Sequence, residues 1–347
     1  MSQDEPATPA TPTPKRRRWP RRLIVAAVVV VALLLIAEVG LRLAFGFGRP
    51  VLFEADPEME YVAQPSQDLD RNGVRVFINS DRMRSDELAR PKPADEFRVL
   101  VIGDSVVNGG AHIDQSDLAS ELLKERLADE PFVAGRRVMT ANISQGSWGP
   151  GNMQAFLARF GTFEADAIVV VLSDHDAFDA RYREGQRPVG SYSLPDRNPL
   201  ALTEAALKVW YRLRPTAAPP TAQEREDAEA AAAERVRPDL ARLLTTLGDA
   251  GVPIAIVLHA ERDETGETMK GKTLLREAIA PFDFVVIDDG DDFRAAREAG
   301  GTPWRDVIHP SAEGQAVLAD VLADALRRAF ERQAEAPDAP VDNALSP

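Results

Sequence analysis

The chain has 347 residues, 41 Lys+Arg against 55 Asp+Glu, and a formal charge of −14. At 44 % apolar and 28 % charged it can bury a core, so wholesale disorder is excluded. With no cysteine there is no disulfide, thiolate zinc site or iron–sulfur cluster, and four histidines leave little for a histidine-built metal centre.

Residues 1–22 are Pro/Thr/Ala-rich, then basic, and are expected to be disordered and cytoplasmic. Lys15, Arg16, Arg17, Arg18, Arg21 and Arg22 precede an unbroken apolar run, Leu23 to Ala37. With its continuation to Phe45 the run reaches the roughly 20 residues that a bilayer core requires. Residues 23–45 are therefore expected to be a single transmembrane signal anchor. By positive-inside asymmetry the N-terminus is cytoplasmic and the body extracytoplasmic, which in a bacterium is the periplasm. A cleaved signal peptide would begin the same way, but no small-x-small site follows cleanly, and Glu38 and Arg42 stand where it would be. Those two residues are four apart and can pair on one helix face. Past residue 50 there are 33 basic and 52 acidic residues. That balance argues against nucleic acid, whose phosphates need basic patches.

Residues 46–96 read as a juxtamembrane segment packing on the domain, with a short strand at Val74, Val76 and Ile78. The periodicity then predicts strands at Arg98–Ile102, Val138–Ile143, Ala167–Leu172, Val252–Leu258 and Phe284–Ile287. Helices are predicted at Leu118–Leu127, Met153–Phe160 and Ala312–Phe330. Strands alternating with helices, and continuous runs such as Val169-Val170-Val171, point to a mainly parallel sheet covered on both faces, spanning residues 97–331. Ligands in such sheets bind at the carboxyl ends of strands. An insertion around 181–236 breaks the alternation. Its Pro-rich part, Arg181 to Pro220, lies over the site face or against the membrane, and Thr221–Leu247 reads as a surface helix. Residues 332–347 are expected to be a disordered tail.

Two short segments carry chemistry. Gly103-Asp104-Ser105 follows a buried strand, and Asp306-Val307-Ile308-His309 precedes the last helix. A serine nucleophile needs a base, and the base an orienting acid. On a short turn Asp306 can reach one ring nitrogen of His309 while the other faces Ser105. The structural reading of Ser105 is a helix cap. Asp288-Asp289-Gly290-Asp291-Asp292 lacks the ligand alternation of a calcium loop, and Gly103–Gly110 lacks the Lys-Ser/Thr of a phosphate loop, so neither a metal nor another cofactor is expected. His112 and His259 are left without a role.

Gly103-Asp104-Ser105 with Gly109, followed far downstream by Asp306-x-x-His309, resembles the SGNH (GDSL-type) hydrolase superfamily in motif and order. Asn79-Ser80-Asp81-Arg82-Met83-Arg84 resembles the N-S-x-G-x-R stretch of its membrane-anchored bacterial members, with Arg82 in place of the glycine. The resemblance implies a three-layer α/β/α flavodoxin-like fold and catalysis by Ser105, Asp306 and His309. It also implies an oxyanion hole of the Ser105 N–H, a second-block N–H and a third-block side chain. Gly146 is the best second-block match, with Ser147 or Gly149 as alternatives. The third block, normally G-x-N-D, reads Ser173-Asp174-His175-Asp176, so His175 falls where Asn would be and could donate when protonated beside Asp174 or Asp176. The implied activity is hydrolysis of acyl, foremost O-acetyl, esters. The substrate is an acylated small molecule or carbohydrate such as envelope or secreted polysaccharide, with Trp148 beside an open sugar site. The alternatives are a polysaccharide O-acetyltransferase using the same triad, and a non-catalytic envelope scaffold or glycan-binding protein.

Overall fold

In a buried parallel strand successive side chains enter opposite layers, so both layers must be apolar. Strand β5 (Glu96–Gly103) sends Leu100 and Ile102 into one core, and Phe97, Val99 and Val101 into the other. Strand β7 (Ala167–Ser173) does the same with Ile168, Val170 and Leu172 against Val169 and Val171. A computed structural model of the protein describes residues 21–71, 73–181, 196–213, 221–264 and 269–335. With β6 (Arg137–Ser144), β8 (Ile254–His259) and β9 (Val285–Asp288), these strands form one five-stranded sheet in the order β6-β5-β7-β8-β9, parallel throughout. Numbered from β5, the order is 2-1-3-4-5, the flavodoxin-like arrangement, whose switch point lies between β5 and β7. Helix α3 (Ala119–Leu127) and helix α9 (Ala312–Glu335) cover one face. Helices α4 (Pro150–Phe160), α6 (Ala222–Gly248) and α7 (Lys270–Ile279) cover the other. The expected three-layer α/β/α fold is the observed one.

Helix α1 (Arg21–Phe45) is long and apolar enough to cross a membrane. Its most apolar window has a mean hydropathy of 2.9, and none of that window is buried. At 1.5 Å per residue its 25 residues extend about 38 Å. Glu38 and Arg42 pair as their spacing predicts, at 2.7 Å. Residues 46–96 form two antiparallel hairpins, β1 (Phe53–Asp56) with β2 (Glu60–Ala63), and β3 (Gln67–Arg71) with β4 (Val74–Ile78). Met59, Val62, Met83 and Leu88 from this segment enter the same core as Leu100 and Trp148.

Several boundaries differ from expectation. Thr221–Leu247 is helical but is no mere surface helix, because Val236, Leu240, Leu243, Leu244 and Leu247 along its second half are buried in the core. Helix α9 runs on to Glu335, past the start given to the tail. Residues 1–20, 182–195, 214–220 and 336–347 lie outside the described residues, and with them the expected disorder of both ends and much of the insertion. Helix α7 and helix α8 (Gly290–Glu298) were not anticipated. The first buries a lysine, Lys272, paired with Glu264 and Asp288, and the second opens on Asp291 and Asp292, so apolar spacing marks neither clearly.

Candidate active site

Ser105 begins a four-residue helix, α2 (Ser105–Asn108), directly after β5. Both glycines of its motif have a physical cause. A Cβ on Gly103 would stand 2.5 Å from Val107 Cγ2, and Gly109 closes the helix at φ +67° while its N–H bonds Ser105 O. The cap on this helix is Asp104, whose Oδ1 accepts the Val106 N–H at 2.8 Å. The hydroxyl of Ser105 is thus not consumed as a cap.

The upstream stretch holds this turn from behind. Arg84 is fully buried, and its guanidinium donates to the carbonyls of Asn108, Gly110 and Ile113. Burial pulls its pKa down to about 10, which still leaves it charged at neutral pH. Asn79 Oδ1 accepts the N–H groups of Asp81 and Met83, forming the turn that delivers Arg84. Arg82 lies in that turn at φ +69°, left-handed space that glycine enters at no steric cost, which accounts for the glycine of the N-S-x-G-x-R pattern. Its guanidinium bonds Ala63 O at 3.0 Å and pairs with Glu54 at 2.7 Å.

His309 and Asp306 stand on the loop between Trp304 and Pro310, which a bridge between those two residues closes. His309 Nε2 lies 2.9 Å from Ser105 Oγ. Nδ1 of the same ring lies 2.9 Å from both carboxylate oxygens of Asp306. Asp306 Oδ1 also accepts the N–H groups of Ile308 and His309. Burial pushes this carboxyl up, but those N–H bonds and the His309 ring outweigh it and hold its pKa well below the usual carboxylate range. Asp306 is therefore ionised and fixes the tautomer with the proton on Nδ1, leaving Nε2 to accept from Ser105. The structure brings Ser105, His309 and Asp306 together in one hydrogen-bonded chain.

Sequence reasoning missed the support under this loop. His259, left without a role, is fully buried at the end of β8. Its Nε2 lies 2.9 Å from the Ile308 carbonyl, which can only accept, so this nitrogen carries a proton. Its Nδ1 lies 2.5 Å from Asp289 Oδ2. Burial pulls the ring's pKa down, and the Asp289 carboxylate more than restores it, for a net rise. An imidazolium paired with a carboxylate satisfies both contacts. The Arg262 N–H bonds Val307 O at 2.7 Å, and the Trp304 indole bonds Ala260 O at 3.0 Å, so the loop is attached on three sides to the strand end. In sequence only a histidine closing an apolar strand hinted at this. Asp288 and Asp289 of the acidic run are likewise spent on Lys272, Arg276 and His259.

On the other side of Ser105, His175 follows β7, the neighbour of β5 at the switch point. Its Nε2 lies 2.9 Å from Asp104 Oδ2 and 3.8 Å from Asp179 Oδ2. The expected partner Asp174 is elsewhere, accepting the Lys272 N–H at the start of α7. Burial pulls the His175 pKa down, but Asp176, Asp104 and Asp179 together push it up to about 10. Asp176 is fully buried, accepts the Ser173 N–H at 2.6 Å and is pushed up by burial and by Asp104. Burial and Asp104 push Asp179 up to about 6, against the pull of His175. Asp104, His175 and Asp176 also lie close enough together to share one cation.

The candidates for the second block separate by their hydrogen bonds. The Gly149 N–H is taken by Asn152 Oδ1 at 3.1 Å as helix α4 begins. Gly146 is exposed, and nothing stands within 4 Å of where its Cβ would be. Among the described residues no acceptor is found for the N–H groups of Ser105, Gly146 or Ser147. Trp148 corrects an expectation: it is 1 % exposed, packs on Phe156 and donates its indole N–H to Tyr61 O, so it borders no open sugar site. Its apolar ring is worth more in the core than at the surface.

No family model and no curated protein matches the chain. Among solved structures, an α/β hydrolase enzyme from the metagenome of Lake Arreo, Spain, is 13 % identical over 67 % of this chain and 95 % of the other, at a TM-score of 0.42. TesA is 16 % identical over 67 % of this chain and 99 % of its own, also at 0.42. A protein of Veillonella parvula DSM 2008 is 13 % identical over 67 % and 99 %, at 0.39. This third neighbour is described as a member of the lipolytic protein G-D-S-L family.

Proposed function

We propose that the chain is a membrane-anchored serine hydrolase of SGNH type that cleaves acyl esters outside the cytoplasm. The observation that carries this reading is the hydrogen-bonded chain Ser105–His309–Asp306 at the carboxyl end of β5. His309 takes the Ser105 proton as Oγ attacks the ester carbonyl, and Asp306 stabilises the imidazolium that forms. The oxyanion is held by the N–H groups of Ser105 and Gly146 and by His175. Anchored on Asp104 through Nε2, the protonated His175 ring has Nδ1–H left to donate, and a charged donor is stronger than the amide it replaces. Collapse expels the alcohol, which takes its proton from His309, and a water activated by His309 then releases the acid.

The substrate is an acylated carbohydrate, foremost an O-acetyl ester of envelope or secreted polysaccharide. Helix α1 anchors the chain with Lys15–Arg22 inside and the Ser105 domain outside. A fluorophosphonate probe is the test. It should label the wild-type chain at Ser105, with the adduct located by peptide mass, and leave Ser105→Ala unlabelled. Equal labelling of both would remove Ser105 from the mechanism.

A further inference from the structure

Helix α5 (Ala201–Leu213) leaves a run of large apolar side chains exposed. Glu204, Lys208 and Arg212 recur every four residues and form one polar stripe. Its start is held to protein, where Glu204 accepts the Gly48 N–H at 2.7 Å and pairs with Arg71 at 2.7 Å, while Lys208, over the Phe47 ring, and Arg212 are exposed. The opposite arc is apolar and open, with Leu207 48 %, Val209 57 % and Leu213 75 % exposed, and with Leu200 exposed just before the helix. A contiguous apolar face of this kind marks a surface that meets lipid or protein.

The attachment of α5 says which. Its first N–H groups, of Ala201 and Leu202, are capped by the two carboxylate oxygens of Glu38, each at 3.0 Å. Glu38 is the first charged residue after the apolar run Leu23–Ala37, and Arg42 pairs with it one turn later. Helix α5 thus starts where α1 leaves its purely apolar stretch, at the depth of the outer headgroups if α1 spans. The two helices are in contact, and α1 is exposed along its apolar stretch. An amphipathic helix with leucine on one side and basic residues on the other lies in the interface plane.

We infer that α5 lies in the outer headgroup–acyl boundary of the membrane that α1 crosses, with Leu207, Val209 and Leu213 in lipid. This rests on the anchor reading above. The Glu38 caps tie the start of α5 to α1 at the end of its apolar stretch, so the domain would meet the bilayer through α5 as well as through α1.

The absence of native cysteine makes the test clean. Leu207→Cys and Leu213→Cys, each in the full chain, are labelled with an environment-sensitive fluorophore and reconstituted in phosphatidylcholine–phosphatidylglycerol vesicles. Val30→Cys in α1 and Glu234→Cys on the exposed part of α6 serve as references. With lipids carrying a shallow nitroxide, the labels at 207 and 213 should lose fluorescence and be insensitive to iodide, and the label at 234 should show the reverse. Quenching at 30 by deep nitroxide, with labels at 207 and 213 open to iodide, overturns the inference and leaves the anchor standing. No lipid quenching at any position overturns the anchor itself. Labels at 207 and 213 shielded from both quenchers would mean that protein, such as a second copy, covers α5, and the inference falls.

Discussion

The two sides of Ser105 are held in place by different means. On the His309 side the loop is held by hydrogen bonds: Asp306 takes two backbone N–H groups and the ring, and His259 with Asp289 secures the loop from beneath. On the His175 side three carboxylates, Asp104, Asp176 and Asp179, surround one imidazole, and two of them are pushed upward. The first side is pre-organised by hydrogen bonds within a short loop. The second depends on a balance of charge among residues brought together from two strand ends. Activation of a nucleophile requires the former, whereas a donor to a transient oxyanion can draw strength from the latter.

If this division holds, the largest effect comes from the nucleophile. Ser105→Ala should abolish acyl-enzyme formation, seen as loss of the burst with an activated acetyl ester. Next, Asp306→Asn should lower kcat by about 10⁴-fold while Ser105 remains present, because the ring loses its tautomer and its counter-charge. A fall of only a few-fold would mean that the Asp306 bonds merely shape the loop. On the other side, His175→Ala should lower kcat by about 10²–10³-fold with little change in KM, since the oxyanion exists only in the transition state. His175→Asn should recover part of that loss. Normal turnover by folded His175→Ala would leave the hole to backbone N–H groups.

How much of this was legible follows the same division. The triad spacing lies within a few residues at each end, and a Ser after a buried strand can be read from a line of text. The five parallel strands were visible because β-branched runs mark burial on both faces. What the sequence hid is pairing across distance: His259 with Ile308, Arg84 with the carbonyls behind Ser105, and His175 with Asp104 instead of Asp174. Nothing local distinguishes these from solvated polar residues. Trp148 was misread for the complementary reason, since an aromatic in a Gly-rich loop gives no sign of which way it turns.

The support under the loop offers a gentler perturbation. His259→Ala leaves Asp289 buried without its cation, and breaking one partner of a buried pair costs about 3–5 kcal/mol of stability. His259→Gln keeps a donor for the Ile308 carbonyl, so it should retain more activity at equal stability. Comparing kcat of the two variants, both folded, separates loop positioning from mere stability: equal kcat values would make His259 structural only.

The smallest effect is a slope, and its sign follows from the charge balance around His175. Its folded pKa of about 10 lies above the ordinary value of 6.5, so the folded state keeps a proton that the unfolded chain releases. That contribution to stability is complete below pH 6.5 and is lost as pH rises toward about 10. Asp179, raised to about 6 from 3.8, binds its proton more tightly when folded as well, and its share is lost in a lower window, between those two values. His259 is raised too, but it is present in both proteins compared and cancels. Thermal melts across pH should therefore show Tm falling more steeply above pH 6.5 in the wild type than in His175→Asn. In the lower window the order should reverse, because Asp176 and Asp179 lose the cation that holds them down and their carboxyls rise further. Parallel curves for the two proteins would mean that His175 carries no net proton, and the charged-donor role on that side of Ser105 would fall with it.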